Sequence, residues 1–175
     1  MERIDLFDRD GHPLGRTRDK HAPRVPGEYG LHAIIILKTE DSPLPGKGEG
    51  QYILQQRSLK ARFYAGKWDV TGGGVHAGET PVQAAVREAA EELSLTLSPE
   101  CLQPFHHYRV TWDDGSGLLI TVFACRVHVP EAGIRFDPYE VNDVRIVPFH
   151  TFYEHVMDHN DEAFGDALRR IEQTV

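Results

Sequence analysis

Residues 71–95 read TGGGVHAGETPVQAAVREAAEELSL, and no other stretch of the chain restricts the fold as tightly. Three glycines are followed, after a short connection, by a strongly marked helix start. Thr80 suits the N-cap, Pro81 suits the first helical position, and Gln83 completes a capping box with Thr80. Val82, Ala85, Val86, Ala89 and Leu93 recur at helical spacing as one apolar stripe. At about 100° per residue, Glu88, Glu91 and Glu92 fall within an arc of roughly 100°, away from that stripe. The pattern predicts a helix that buries one side and presents carboxylates on the other. Like charges four apart on a helix repel, so the stack needs a reason. A solvated acidic face is the plain alternative. The ordered glycine run and cap favour a bound divalent cation, and hard ions such as magnesium take oxygen ligands.

The rest of the composition sets the frame. A chain of 175 residues is expected to form one domain with a proper core. A net charge of −8 argues against a broad surface for duplex nucleic acid. An acidic protein that handles phosphates must rely on metal ions and a few local cations. Cys101 and Cys125, the two cysteines, read as reduced thiols of a cytosolic protein rather than a disulfide framework. The N-terminus, MERIDLFDRDG, lacks a basic-then-apolar signal. No apolar run approaches the ~18 residues that would span a membrane. The expected location is therefore cytoplasmic, with no membrane partner.

Along the chain, helix and strand signals mix. Ile4 to Phe7 is expected to pair with a segment after the Asp10-Gly11 turn, and residues 18–28 read as loop. Leu31 to Leu37 suits a buried central strand. Residues 39–50 form an excursion before a strand at Tyr52 to Gln56, which makes them an enlarged hairpin loop. Lys67 to Thr71 leads into the glycine run. His106 to Trp112 and Leu118 to Val129 flank a DDGSG hairpin signal at 113–117. Asp143 to Val147 reads as a last strand, and residues 149–158 and 161–173 as one broken or two short helices.

The 73–95 segment resembles the Nudix box, the signature of the Nudix hydrolases. Gly73, Glu79, Arg87-Glu88 and Glu91-Glu92 all stand at the family's spacing. Ala89 takes the place of a larger apolar residue. Ser94 replaces a final glycine, which would adopt a left-handed turn at least cost. The resemblance implies an α/β fold, an α/β/α sandwich around a mixed β-sheet. It implies a single domain over 1–175, with an N-terminal hairpin at about 1–28 and a C-terminal helical segment at about 149–175. The implied activity is hydrolysis of the diphosphate linkage in a nucleoside diphosphate joined to another group. The implied cofactor is Mg2+, with Mn2+ able to substitute, and the implied partner is a small-molecule diphosphate.

The resemblance also assigns residues. Glu88, Glu91, Glu92 and the backbone carbonyl of Gly72 would hold metal, with Glu88 central to catalysis. Arg87 would orient a box carboxylate. Glu79 would support the cluster or hydrogen-bond Arg87. Glu140, ahead of a late strand, matches a glutamate that serves some members as ligand or base. Beyond these, Arg57, Lys60 and Lys67 are candidate phosphate contacts, weighed against ordinary solvated cations. Trp68 and Tyr64 are candidate stacking surfaces, weighed against rim packing. His106-His107 reads as structural.

Asp8, Asp10-Gly11, His32 and QQRSLKARFYAGKWD at 55–69 resemble the branch that includes isopentenyl-diphosphate isomerases. Such an isomerase is expected to carry a catalytic cysteine just ahead of the box. Anchored at Glu79, that position is Gly72, which has no acid or base to offer. A catalytically silent binding module is the third reading, and the intact acidic set speaks against it. Substrate specificity is expected from the 39–50 and 113–117 loops.

Overall fold

The computed structural model describes residues 2–23, 25–40, 51–61 and 63–175. Its described strands are β1 (Arg3–Phe7), β2 (Pro13–Asp19), β3 (Tyr29–Thr39), β4 (Gln51–Arg57), β5 (Trp68–Asp69), β6 (Thr71–Gly74), β7 (Gln103–Thr111), β8 (Gly117–Val127) and β9 (Val141–Pro148). Its described helices are α1 (Pro81–Leu93), α2 (Phe149–Met157) and α3 (Glu162–Thr174), with a 3-10 turn at Pro99–Cys101.

β3 is the hub of one mixed sheet. It runs parallel to β8 from Tyr29↔Gly117 to Thr39↔Val127, and antiparallel to β1, β4 and β6. β9 extends the sheet beyond β4, and β7 beyond β8, both antiparallel. Side chains alternate across a strand, so β3 feeds two cores. Ala33, Ile35 and Leu37 pack with Ala84, Ala85, Ala89 and Leu93 of α1. Ile36 packs on the other face with Tyr52, Leu54, Phe152, Val156, Phe164 and Leu168. The result is α1 on one face and α2 with α3 on the other, the sandwich expected from the resemblance.

The expected local signals are present in the fold. Thr80 accepts from the Gln83 amide at 3.2 Å and Gln83 Oε1 accepts from the Thr80 amide at 2.8 Å, closing the capping box. The Asp8 carboxylate holds the β1–β2 turn by accepting from the amides of Asp10 and His12, each at 2.9 Å. β3 and β4 pair antiparallel at Lys38↔Tyr52, on either side of the expected hairpin excursion; most of that loop, residues 41–50, lies outside the described residues. Ser94 takes the left-handed turn after α1 at φ 53°, ψ 28°, without glycine. Its amide and that of Leu95 close on the carbonyls of Ala90 and Ala89, each at 3.1 Å, which offsets the cost of the conformation.

Two expectations are corrected. The carboxylate face of α1 does not simply turn to solvent. Ala84, Glu88 and Glu92 form one row four apart, and all three are buried, as are Ala85, Ala89 and Leu93. The buried arc is wider than the stripe suggested, because the three glycines of β6, Gly72 to Gly74, let the helix flank settle against the strand. The cysteines are not reduced thiols: Cys101 and Cys125 form a disulfide across a Cα–Cα distance of 5.4 Å. The chain leaving α1 lays the 3-10 turn over β8, an adjacency that their spacing of 24 residues does not reveal. The reduced-thiol argument for a cytosolic setting therefore does not hold. Among the described residues, no helix is long and apolar enough to cross a membrane.

Candidate active site

The glycine run is the first component of the site. A Cβ built on Gly73 would lie 2.0 Å from Glu88 Oε1. Only a glycine leaves that space to the carboxylate. Gly72 is constrained from the opposite side, since a Cβ there would lie 2.3 Å from the Ala33 carbonyl oxygen on β3. The Gly72 amide donates to Glu92 Oε2 at 3.2 Å. β6 thus receives the inner edge of α1 and offers a backbone donor to it.

Arg87 organises the outer edge. Its Nε and Nη2 grip both oxygens of Glu79 at 2.9 and 3.1 Å. Its Nη1 reaches Glu88 Oε1 at 2.8 Å and Glu91 Oε2 at 3.0 Å, and Nη2 also donates to the Gly74 carbonyl at 2.9 Å. Burial works against the charge of this guanidinium, but the hydrogen bonds to Glu79 and Glu88 outweigh it and hold the group protonated. For Glu79, burial works upward. Arg87 and the His76 amide override it and keep the carboxyl below its ordinary range.

The inner edge gathers three acids. Oxygens of Glu88, Glu92 and Glu140 all lie within 4.8 Å of one another, the first two buried and the third exposed. Glu140 arrives on a turn pinned from two sides. Its carbonyl accepts from the Ser58 amide at 2.8 Å, and the Asp137 amide donates to the Glu92 carbonyl at 3.0 Å. Burial raises the carboxyl of Glu88, against the pull of Arg87. Burial pushes Glu92 up to about 8, and the charges of Glu88 and Glu140 add to it, while Gln55 and the Gly72 amide oppose it. Converging carboxylates in a poorly solvated seam repel and resist ionisation together. A divalent cation would relieve both terms, and an all-oxygen donor set suits Mg2+ or Mn2+. The residues fit such an ion.

The structure separates Glu91 from this set. Its side chain is 52% exposed and its contact is with Arg87. Gln55 opens the upstream 55–69 stretch but is given no site role by the sequence, yet it sits in the seam. This residue of β4 is buried and donates to Glu92 Oε2 at 3.0 Å.

Arg57, Lys67, Trp68 and Tyr64, the candidate substrate contacts besides Lys60, have partners elsewhere. Arg57 donates to the Phe63 carbonyl at 3.1 Å and stands 3.9 Å from Asp69. Lys67 pairs with Asp158. Trp68 packs on the α2 face, with the Arg145 guanidinium 4.3 Å above its ring. The Tyr64 ring lies 4.8 Å from that of His159. His106 stacks on Tyr108 at 5.7 Å, and His107 pairs with Thr121 at 3.1 Å. Lys60 has its amide on Ser58 Oγ at 3.2 Å.

Comparison with known proteins agrees with this geometry. The NUDIX domain model matches residues 42–168. An uncharacterized Nudix hydrolase of Pseudomonas aeruginosa is 33% identical over 148 residues, covering 83% of this chain and 78% of that protein. An uncharacterized Nudix hydrolase of Rhodococcus erythropolis is 32% identical over 117 residues, 64% of this chain, and the match spans only 57% of the relative's length. An isopentenyl-diphosphate Delta-isomerase of Cutibacterium acnes is 31% identical over 166 residues, covering 86% of this chain and 76% of the relative. The crystal structure of DR0079 from Deinococcus radiodurans shares the fold, with a TM-score of 0.70 at 18% identity over 97% of this chain and 99% of that one. The chain belongs to the NUDIX domain family.

Proposed function

We propose that this protein, acting as one domain over residues 1–175, is a divalent-metal-dependent hydrolase. Its reaction is cleavage of the diphosphate linkage in a nucleoside diphosphate joined to another group. The observation that supports this is the convergence of Glu88, Glu92 and Glu140 oxygens within 4.8 Å beside the glycine run. These carboxylates would hold Mg2+, with Mn2+ as substitute, and the Gly72 carbonyl would complete the cradle. When bound, the ion neutralises phosphate oxygens and acidifies water. Glu88 and Glu92 supply fixed negative charge from a rigid helix. Arg87 holds Glu88 in its rotamer, and Glu79 holds Arg87. Glu91 acts through Arg87. Glu140, the exposed member, is the carboxylate open to solvent and the group we assign to take the proton from water. Arg57, Lys67 and Trp68 remain candidates for binding the group beyond the diphosphate, after release from their present partners.

The isomerase reading is favoured by relatives of that name at 31% and 30% identity and by the upstream resemblance. The backbone opposes it. A cysteine at 72 would press its Cβ into the Ala33 carbonyl, so β6 here is built for glycine. A screen of diphosphate substrates with magnesium, with products identified by mass spectrometry, tests the proposal. Two phosphate-bearing products, or a monophosphate with free phosphate, support hydrolysis. Conversion of isopentenyl to dimethylallyl diphosphate at a catalytic rate would overturn it.

A further inference from the structure

Glu92 is held by a chain of groups that the box motif does not include. Gln55 Nε2 donates to Glu92 Oε2 at 3.0 Å and lies 3.3 Å from the Val70 carbonyl. Gln55 Oε1 accepts from Thr71 Oγ1 at 3.2 Å. Gln55 is 1% exposed and Thr71 2% exposed, so no bulk water substitutes for either contact. The Val70 carbonyl, which can only accept, fixes which way the amide points, and the Thr71 hydroxyl donates to the amide oxygen on the other side. With its oxygen turned to Thr71, the amide presents N–H to the carboxylate; flipped, it would present oxygen to oxygen. The Gly72 amide donates to the same Oε2 at 3.2 Å. Both donors therefore load one oxygen of Glu92 and leave Oε1 without a hydrogen bond among the described residues.

We propose that Gln55 and Thr71 are positioning residues that lock the Glu92 carboxylate so that Oε1 alone is offered to the divalent ion. The inference rests on the metal-binding reading of Glu88, Glu92 and Glu140. Partners that orient a ligand govern metal affinity without touching the ion, and their loss typically costs about 10- to 100-fold.

The test is Mn2+ binding to the substrate-free protein by calorimetry, on wild type and on Gln55→Leu, Thr71→Val, Thr71→Ser and Glu88→Gln. Thr71→Val keeps the shape of the buried site, so it reports even where Gln55→Leu fails to fold. The expected result is a Kd raised about tenfold or more in Gln55→Leu and Thr71→Val, and restored to within about twofold in Thr71→Ser, which keeps the hydroxyl. A Mn2+-soaked crystal should show Glu92 bound through Oε1, with Gln55 still on Oε2. If Glu88→Gln loses binding but both relay variants bind as wild type, the relay is wrong and the metal reading stands. If Glu88→Gln binds as wild type too, both fail. Oε2 at the ion in the crystal would also overturn the relay.

Discussion

Gly73 and Glu88 occupy the same space: a Cβ on the first would lie 2.0 Å from Oε1 of the second. The strand has given up a side chain so that a helix carboxylate can sit against its backbone. Gly73→Ala should therefore displace Glu88 and weaken metal binding by about 10- to 100-fold, while leaving α1 capped and folded. Calorimetric Mn2+ titration with circular dichroism checks this. Unchanged affinity in the folded variant would mean that Glu88 does not act from its present position.

The acids of the box should not behave alike. Glu88→Gln and Glu92→Gln each remove charge from the converging set, and turnover should fall by orders of magnitude. Glu91→Gln removes only a partner of Arg87, so its loss should stay near the 10- to 100-fold range of an orienting contact or below. Steady-state kinetics on the three variants separates the roles. Glu91→Gln as damaging as Glu92→Gln would place Glu91 in the metal set.

The metal-free protein should lose stability as pH rises through the range set by Glu92. Its carboxyl moves from the ordinary 4.5 up to about 8 on folding. The folded state therefore binds more protons than the unfolded state between those values, and stability falls with pH there. Burial raises Glu88 in the same sense. Glu79 is lowered and acts oppositely, losing its contribution in acid. Thermal melts in chelator at pH 5 and pH 8 should show a steeper fall for wild type than for Glu92→Gln, and Mg2+ should stabilise wild type more at pH 8. Equal pH slopes for the two proteins would contradict the burial of Glu92.

Much of this was legible before the fold was known. Thr80, Pro81 and Gln83 mark the start of α1 by local chemistry alone, and Leu31 to Leu37 announces the central strand by composition. Glu140 was nameable from its place relative to the box, and the structure brings it beside Glu88 and Glu92. The depth of Glu88 and Glu92 was not legible, because it depends on β6 lying opposite, a nonlocal contact. Gln55 reaches Glu92 only through the register of β4 against β5 and the packing of α1. The Cys101–Cys125 pairing likewise depends on where the 3-10 turn crosses β8.

That disulfide has a measurable consequence. It closes a loop of 24 residues between the end of the α1 region and β8. Reduction should destabilise the fold by about 3 kcal/mol, and denatured protein without reductant should show no free thiol. Two titratable thiols in the unreduced protein would refute the bond.

The most direct test of the central claim is hydrolysis of a nucleoside diphosphate derivative in heavy-oxygen water, with Mg2+ and with excess chelator. The account predicts turnover with Mg2+, label on one of the two products, and none with chelator until Mg2+ or Mn2+ is restored. Full activity in chelator would contradict it.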